Sequence, residues 1–140
     1  AFVDGDAEIA IRGTTPDGPG FWFPPTVLCP VPGDHPAVHD EIFGPVAVVI
    51  PFDDEADAIR MANDTIYGLS GSVWTRDGAK ALRVARALES GNLSINSNSS
   101  VRVTTPFGGF KQSGYGRELG PLATDAYTEV KTIFYNMEGN

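Results

Sequence analysis

Glu41-Ile42-Phe43-Gly44-Pro45 places a carboxylate and an aromatic ring on either side of one apolar residue, just ahead of the uninterrupted run Val46-Ala47-Val48-Val49-Ile50. A carboxylate so placed accepts hydrogen bonds from a pair of hydroxyls, and an exposed ring beside it covers one face of a planar ligand. Gly44 permits close backbone approach and Pro45 fixes φ on entry to the run, so Glu41 and Phe43 are expected on a constrained corner. Taken alone, the same five residues also read as a charged loop followed by a packing Phe.

Other residue types that carry chemistry are few. Cys29 is the single cysteine, and a thiolate is a candidate nucleophile for covalent catalysis. It stands between Leu28 and Pro30, without the glycine-rich or helix-N-terminal setting that lowers a thiol pKa, so we read it as inert. His35 and His39 stand at a helical spacing, but Pro36 separates them and no third ligand accompanies them, which makes them surface histidines rather than a metal pair. The glycines between Phe107 and Gly116 lack the strand-turn-helix context of a dinucleotide fingerprint and are expected to serve irregular backbone.

The elements that must position these groups follow from periodicity. The 46–50 run is apolar throughout and β-branched at four of its five positions, which predicts a strand buried on both faces of a parallel sheet. Residues 8–12 and 21–28 read as strands of a peripheral hairpin joined by a long loop, with Pro24 and Pro25 confining their segment to an edge or to irregular structure. Asp53 or Asp54 caps a helix with Ala56, Ile59 and either Ala62 or Asn63 on one face, running to about Tyr67-Gly68. Residues 69–75 form a short strand, Asp77 caps a second helix presenting Ala81, Val84, Ala85 and Leu88, Gly91 stops it, and 92–96 return as a strand. Strand, helix, strand, helix, strand with short connections predicts right-handed crossovers and a parallel sheet. Residues 97–105 are then a loop at the carboxyl end of a strand, where ligands of open α/β sheets gather. Residues 127–135 alternate Val130, Thr132 and Phe134 against Glu129, Lys131 and Ile133, the pattern of an edge strand or an exchanged arm.

Composition bounds the function. The chain has 140 residues and a hydrophobic fraction of 41%, enough for a core of one domain or most of one. Acidic residues outnumber basic ones 18 to 10, for a formal charge of -8, which argues against a nucleic-acid surface or an anionic membrane as partner. No apolar stretch has the length of a membrane span, the opening residues lack the regions of a signal peptide, and one cysteine builds no disulfide framework, so a cytoplasmic location is expected. The opening residues read as the middle of a longer chain.

The Glu41 and Phe43 corner does not stand alone. Later comes Pro106-Phe107-Gly108-Gly109-Phe110-Lys111-Gln112-Ser113-Gly114-Tyr115-Gly116-Arg117-Glu118. With Gly20-Phe21-Trp22-Phe23-Pro24-Pro25-Thr26-Val27-Leu28, Asn63-Asp64-Thr65-Ile66-Tyr67-Gly68-Leu69, Gly91-Asn92-Leu93-Ser94-Ile95-Asn96 and Ala126-Tyr127-Thr128-Glu129-Val130-Lys131-Thr132, nearly the whole chain resembles the C-terminal part of the aldehyde dehydrogenase superfamily. The resemblance implies an α/β fold: the C-terminal portion of the catalytic domain over 1–126, with a parallel strand-helix-strand-helix-strand core and an N-terminal hairpin, and a terminal oligomerisation strand and tail over 127–140.

The same resemblance implies oxidation of an aldehyde to a carboxylic acid with NAD or NADP, through a cysteine thiohemiacetal, hydride transfer and thioester hydrolysis. The nucleophile, the general base and the dinucleotide-binding domain have no counterpart in this sequence, so the chain alone is expected to be inactive. Glu41 matches the family's glutamate that binds the nicotinamide ribose hydroxyls, and Phe43 the ring that packs beside the nicotinamide. Phe107 matches the aromatic that borders the aldehyde pocket. Val101 occupies a variable substrate-lining position where many relatives place an aromatic, and the adjacent Arg102 either favours an anionic aldehyde or points outward. Family members use the terminal segment in subunit contacts, which implies a homo-oligomer. A reading of another class stays open, a non-catalytic α/β module that only pairs with other copies or another chain.

Overall fold

The computed structural model describes residues 7–137. The opening residues 1–6 and the last three of the tail lie outside the described residues. The chain divides into two compact units, 1–65 and 66–140.

The first unit is built on a three-stranded sheet of β1 (Ile9–Arg12), β2 (Thr26–Leu28) and β3 (Val46–Val48) in that order. β1 runs antiparallel to β2 across the long loop, and β3 lies parallel to β2 with Thr26 opposite Val46 and Leu28 opposite Val48. The hairpin is therefore not peripheral. Its second strand is the centre of the sheet, and Leu28 is fully buried within a core of Ala7, Val31 and Ala37. Residues 21–25 form no strand, because Pro24 and Pro25 remove two ladder donors. Their carbonyls are still used: Gly13 N–H donates to Pro25 O at 2.8 Å and Thr26 Oγ1 donates to Pro24 O at 2.8 Å.

The apolar run 46–50 forms a shorter strand than expected, and it is not buried on both faces. Val46 and Val48 pack on the core, whereas Ala47 and Val49 are exposed. Successive strand side chains point to opposite faces, so within this chain the sheet covers only one side of β3. Helix α1 (Pro36–His39) is a single turn, and α2 (Glu55–Asn63) begins at Asp54, whose carboxylate accepts the Asp57 N–H at 2.9 Å. α2 stops at Asn63, short of the expected Tyr67-Gly68. Ile59 and Asn63 are half-buried but Ala56 and Ala62 are exposed, so the apolar face read from the sequence has little to pack against in this chain.

The second unit contains β4 (Tyr67–Gly68), β5 (Ser70–Val73), α3 (Gly78–Ala87), β6 (Asn92–Ile95), β7 (Phe110–Lys111) and a 3-10 turn over Pro121–Tyr127. β5 and β6 are parallel across α3, in register from Ser70 opposite Asn92 to Val73 opposite Ile95, while β4 pairs antiparallel with β7. Ala81 of α3 is buried and Val84, Ala85 and Leu88 are half-buried, as the spacing predicts. Asp77 caps α3 by accepting the N–H groups of Ala79 at 2.9 Å and Lys80 at 3.0 Å.

The Lys80 N–H chiefly holds the Asp77 carboxyl below its ordinary value of 3.8. Desolvation opposes the shift, while the Ala79 N–H and the charges of Lys80 and Arg83 assist it. A depressed folded-state pKa stabilises above the unfolded value, and that contribution is lost as pH falls through the folded one. Replacing Asp77 with Asn is therefore expected to lower stability at neutral pH and to flatten its fall below pH 3.8, so that variant and parent converge in acid, measured by urea unfolding at stepped pH.

Gly91 is not the stop signal of α3, which ends at Ala87 with Leu88 already extended. Its requirement is steric, since a Cβ built on Gly91 would overlap the Gly108 carbonyl oxygen. Gly91→Ala is expected to cost roughly 1–2 kcal/mol, read as a lowered urea midpoint at unchanged slope. An unchanged midpoint would mean that the two backbone segments do not lie against each other.

Residues 127–135 form no strand here. Tyr127 closes the 3-10 turn, and Thr128 is extended at φ -129, ψ 152. A strand is defined by its ladder, and none of the described residues pairs with this segment. Val130 is 97% exposed and Phe134 is 88% exposed.

Candidate cofactor and substrate site

In the first unit, Glu41 and Phe43 flank Ile42 between α1 and β3. Ile42 packs against the core around Leu28, while Glu41 and Phe43 are exposed. The corner is fixed from behind: Val46 N–H donates to Gly44 O at 2.8 Å, and Thr26 N–H of β2 donates to Pro45 O at 2.9 Å. The special backbone lies one residue earlier than the sequence suggests. Phe43, not Gly44, adopts the left-handed conformation at φ 50. A Cβ at Gly44 would meet only ordinary contacts with Ile42, at 3.9 and 4.0 Å.

A bulky residue at positive φ costs on the order of 1–3 kcal/mol and persists where surrounding structure enforces it, which is commonest at functional sites. Here it presents the ring, 92% exposed, to solvent. A carboxylate with its oxygens available and a ring held away from the core fit the ribose and ring of a nicotinamide cofactor, the first by accepting hydroxyl hydrogens and the second by stacking.

In the second unit, Phe107 is half-buried beside a cavity of about 360 Å³ whose lining includes Leu69, Gly109, Arg117 and Tyr127. Its backbone pairs with Glu118 in both directions, each bond 2.7 Å. Val101 does not line that cavity; it is 51% exposed in the 97–105 loop. Arg102 is committed locally, donating to Ser99 Oγ at 2.9 Å and Val101 O at 2.8 Å.

Cys29 is half-buried at the end of β2, with its N–H donated to Glu8 O at 2.9 Å. His35 caps α1, its Nδ1 accepting from Ala37 N–H, and His39 Nε2 donates to Gly33 O at 2.7 Å. Among the described residues no three His, Cys, Asp or Glu groups gather as a metal site, and no helix is long and apolar enough to cross a membrane.

Sequence reasoning missed Asn92 and Arg117, which join the glycine segment to its surroundings. Asn92 is buried, and its Nδ2 donates to Leu69 O at 3.1 Å and to Gly108 O at 2.7 Å. Arg117 Nη1 donates to Gly109 O at 3.0 Å and Gly116 O at 2.6 Å, with its guanidinium 5.5 Å from the Phe110 ring centroid. An Asn opening an apolar strand was the one available signal for the first.

Residues 2–133 match the model of the aldehyde dehydrogenase family. The chain belongs to that family. It is 43% identical over 131 residues to an aldehyde dehydrogenase of Emericella nidulans, covering 94% of this chain and 26% of that protein. It is 47% identical over 118 residues to aldehyde dehydrogenase [NAD(P)+] 1 of Saccharomyces cerevisiae, covering 84% and 23%. The solved NAD+ complex of an aldehyde dehydrogenase from Bacillus cereus superposes with a TM-score of 0.87 at 43% identity, over 95% of this chain and 27% of that one. The α/β architecture is thus that of a portion of an aldehyde dehydrogenase catalytic domain. The chain spans about a quarter of the length of these relatives.

Proposed function

We propose that this chain is the C-terminal portion of an NAD- or NADP-dependent aldehyde dehydrogenase that oxidises an aldehyde to a carboxylic acid, and that it supplies the wall around the nicotinamide. The observation that carries this reading is the corner of Glu41 and Phe43, both turned outward, one on strained backbone. The cofactor, when bound, accepts the hydride. Glu41 accepts hydrogen bonds from its ribose hydroxyls and so fixes the sugar, while Phe43 limits where the nicotinamide can lie. Phe107 borders the aldehyde pocket, and Val101, outside the cavity beside Phe107 in this chain, would meet the aldehyde from the 97–105 loop.

Residues 1–126 then belong to the catalytic domain and 127–140 to a terminal strand that pairs in a homo-oligomer. Membership of the family together with the exposed apolar side chains of that segment supports this division. We place the enzyme in the cytoplasm, where a lone thiol needs no partner.

The 140-residue chain by itself does not catalyse the reaction, because Cys29 is anchored in strand β2 surroundings without an activating group and the remaining machinery belongs to other parts of the enzyme. NAD+- or NADP+-dependent oxidation of a simple aldehyde by the purified chain is expected to equal the buffer blank. Turnover abolished by Cys29→Ser would contradict this assignment.

A further inference from the structure

Phe107 is followed by two glycines, the residues that hold a neighbouring ring least firmly, yet consecutive carbonyls across this stretch are each fastened from a different direction. Phe107 O accepts from Glu118 N–H at 2.7 Å, Gly108 O from Asn92 Nδ2 at 2.7 Å, and Gly109 O from Arg117 Nη1 at 3.0 Å. Asn92 is 7% exposed and tied to Leu69 O as well, so its amide is held on β6 and cannot swing away. Arg117 sits against the Phe110 ring at 5.5 Å, a cation–π contact that orients the guanidinium. There is no slack beside these bonds. A Cβ at Gly108 would overlap Gly116 O, and one at Gly109 would come within 2.6 Å of Ser113 O.

We propose that Asn92 and Arg117 are positioning residues that set the Phe107 ring, and through it the enzyme's choice among aldehydes. This rests on the reading that Phe107 borders the aldehyde pocket. Both act on the ring through its backbone, although Arg117 also lines the cavity beside Phe107. Loss of either frees a glycine peptide next to the ring and leaves a carbonyl without its partner, so the ring samples more positions and discriminates less between a bulky aromatic aldehyde and a small aliphatic one.

The test is a double-mutant cycle in the intact enzyme that contains this chain, reading the ratio of kcat/KM for a benzaldehyde-type substrate to that for propanal, together with the cofactor KM. Arg117→Met and Asn92→Ser are expected to change the ratio about fivefold or more with the cofactor KM unmoved, and Arg117→Lys to retain part of it. In a Phe107→Ala background the same substitutions should no longer alter the ratio. An unchanged ratio in folded Arg117→Met enzyme, or an equal change with and without the Phe107 ring, would overturn the positioning role. Should Asn92→Ser fail to fold, the partly exposed Arg117 arm decides by itself. Phe107→Ala leaving the ratio at its original value would instead overturn the pocket reading on which the proposal rests, a result distinguishable from the others.

Discussion

Replacing Glu41 by Gln in the intact enzyme is expected to slow single-turnover hydride transfer or weaken cofactor binding by roughly 5- to 150-fold, the equivalent of about 1–3 kcal/mol for one charge-assisted hydrogen bond. The substitution keeps the size and shape of the side chain, and Glu41 lies exposed with no packing role in the core. Folding should therefore be unaffected. What changes is the acceptor: a carboxylate offers two equivalent charged oxygens to a pair of hydroxyls, whereas an amide offers one neutral oxygen and a donor that repels one of the hydroxyl hydrogens. The loss should appear in cofactor affinity or the hydride step and leave aldehyde affinity largely unchanged. Unaltered cofactor binding together with an unaltered hydride step would remove Glu41 from the site.

The second large effect concerns assembly. Val130→Asp combined with Phe134→Asp is expected to shift the intact enzyme from an oligomer toward smaller species in light scattering, with the dissociation constant raised roughly 10²–10⁴-fold. The two side chains share one face of the alternating sequence pattern and are almost wholly exposed in this chain. Burial of a Val and a Phe contributes about 1.5–3 kcal/mol each, and a carboxylate placed in such a contact must also be desolvated. The backbone has the same need, because extended N–H and C=O groups without a ladder find partners most readily by adding to another strand. An unchanged mass at low concentration would show that this segment is not an association surface.

How far the sequence discloses this structure depends on how local each cause is. Asp77 and the α3 face of Ala81, Val84, Ala85 and Leu88 are legible because a cap and a 3.6-residue period act within a few residues of each other. The parallel pairing of β5 with β6 follows equally from a helix set between two short strands. Burial of β3 is not legible in this way. An apolar run reports what the complete sheet would cover, and in this chain Ala47 and Val49 remain open. Residues 127–135 fail for a related reason: alternation fixes which side chains share a face but supplies no partner.

The site was legible by residue type more than by conformation. Glu41 and Phe43 are identified by their neighbours in sequence, which predict close backbone approach at Gly44 but not the left-handed backbone of Phe43. It falls on Phe43 because Ile42 packs inward and Pro45 is tied to β2, which leaves the reversal to the residue between them and Gly44. Asn92 was invisible for a different reason. Its partner carbonyl on Gly108 is distant in sequence, and a lone Asn in a strand gives no sign of which carbonyl it will reach.

The central claim, that this chain forms the wall around the nicotinamide, is tested most directly by a crystal structure of the intact enzyme with its cofactor bound. A Glu41 carboxylate oxygen is expected about 2.5–3.0 Å from a hydroxyl of the nicotinamide ribose, with the Phe43 ring beside the nicotinamide. A ribose held by other residues, with Glu41 pointing into solvent or paired with protein groups, would contradict it.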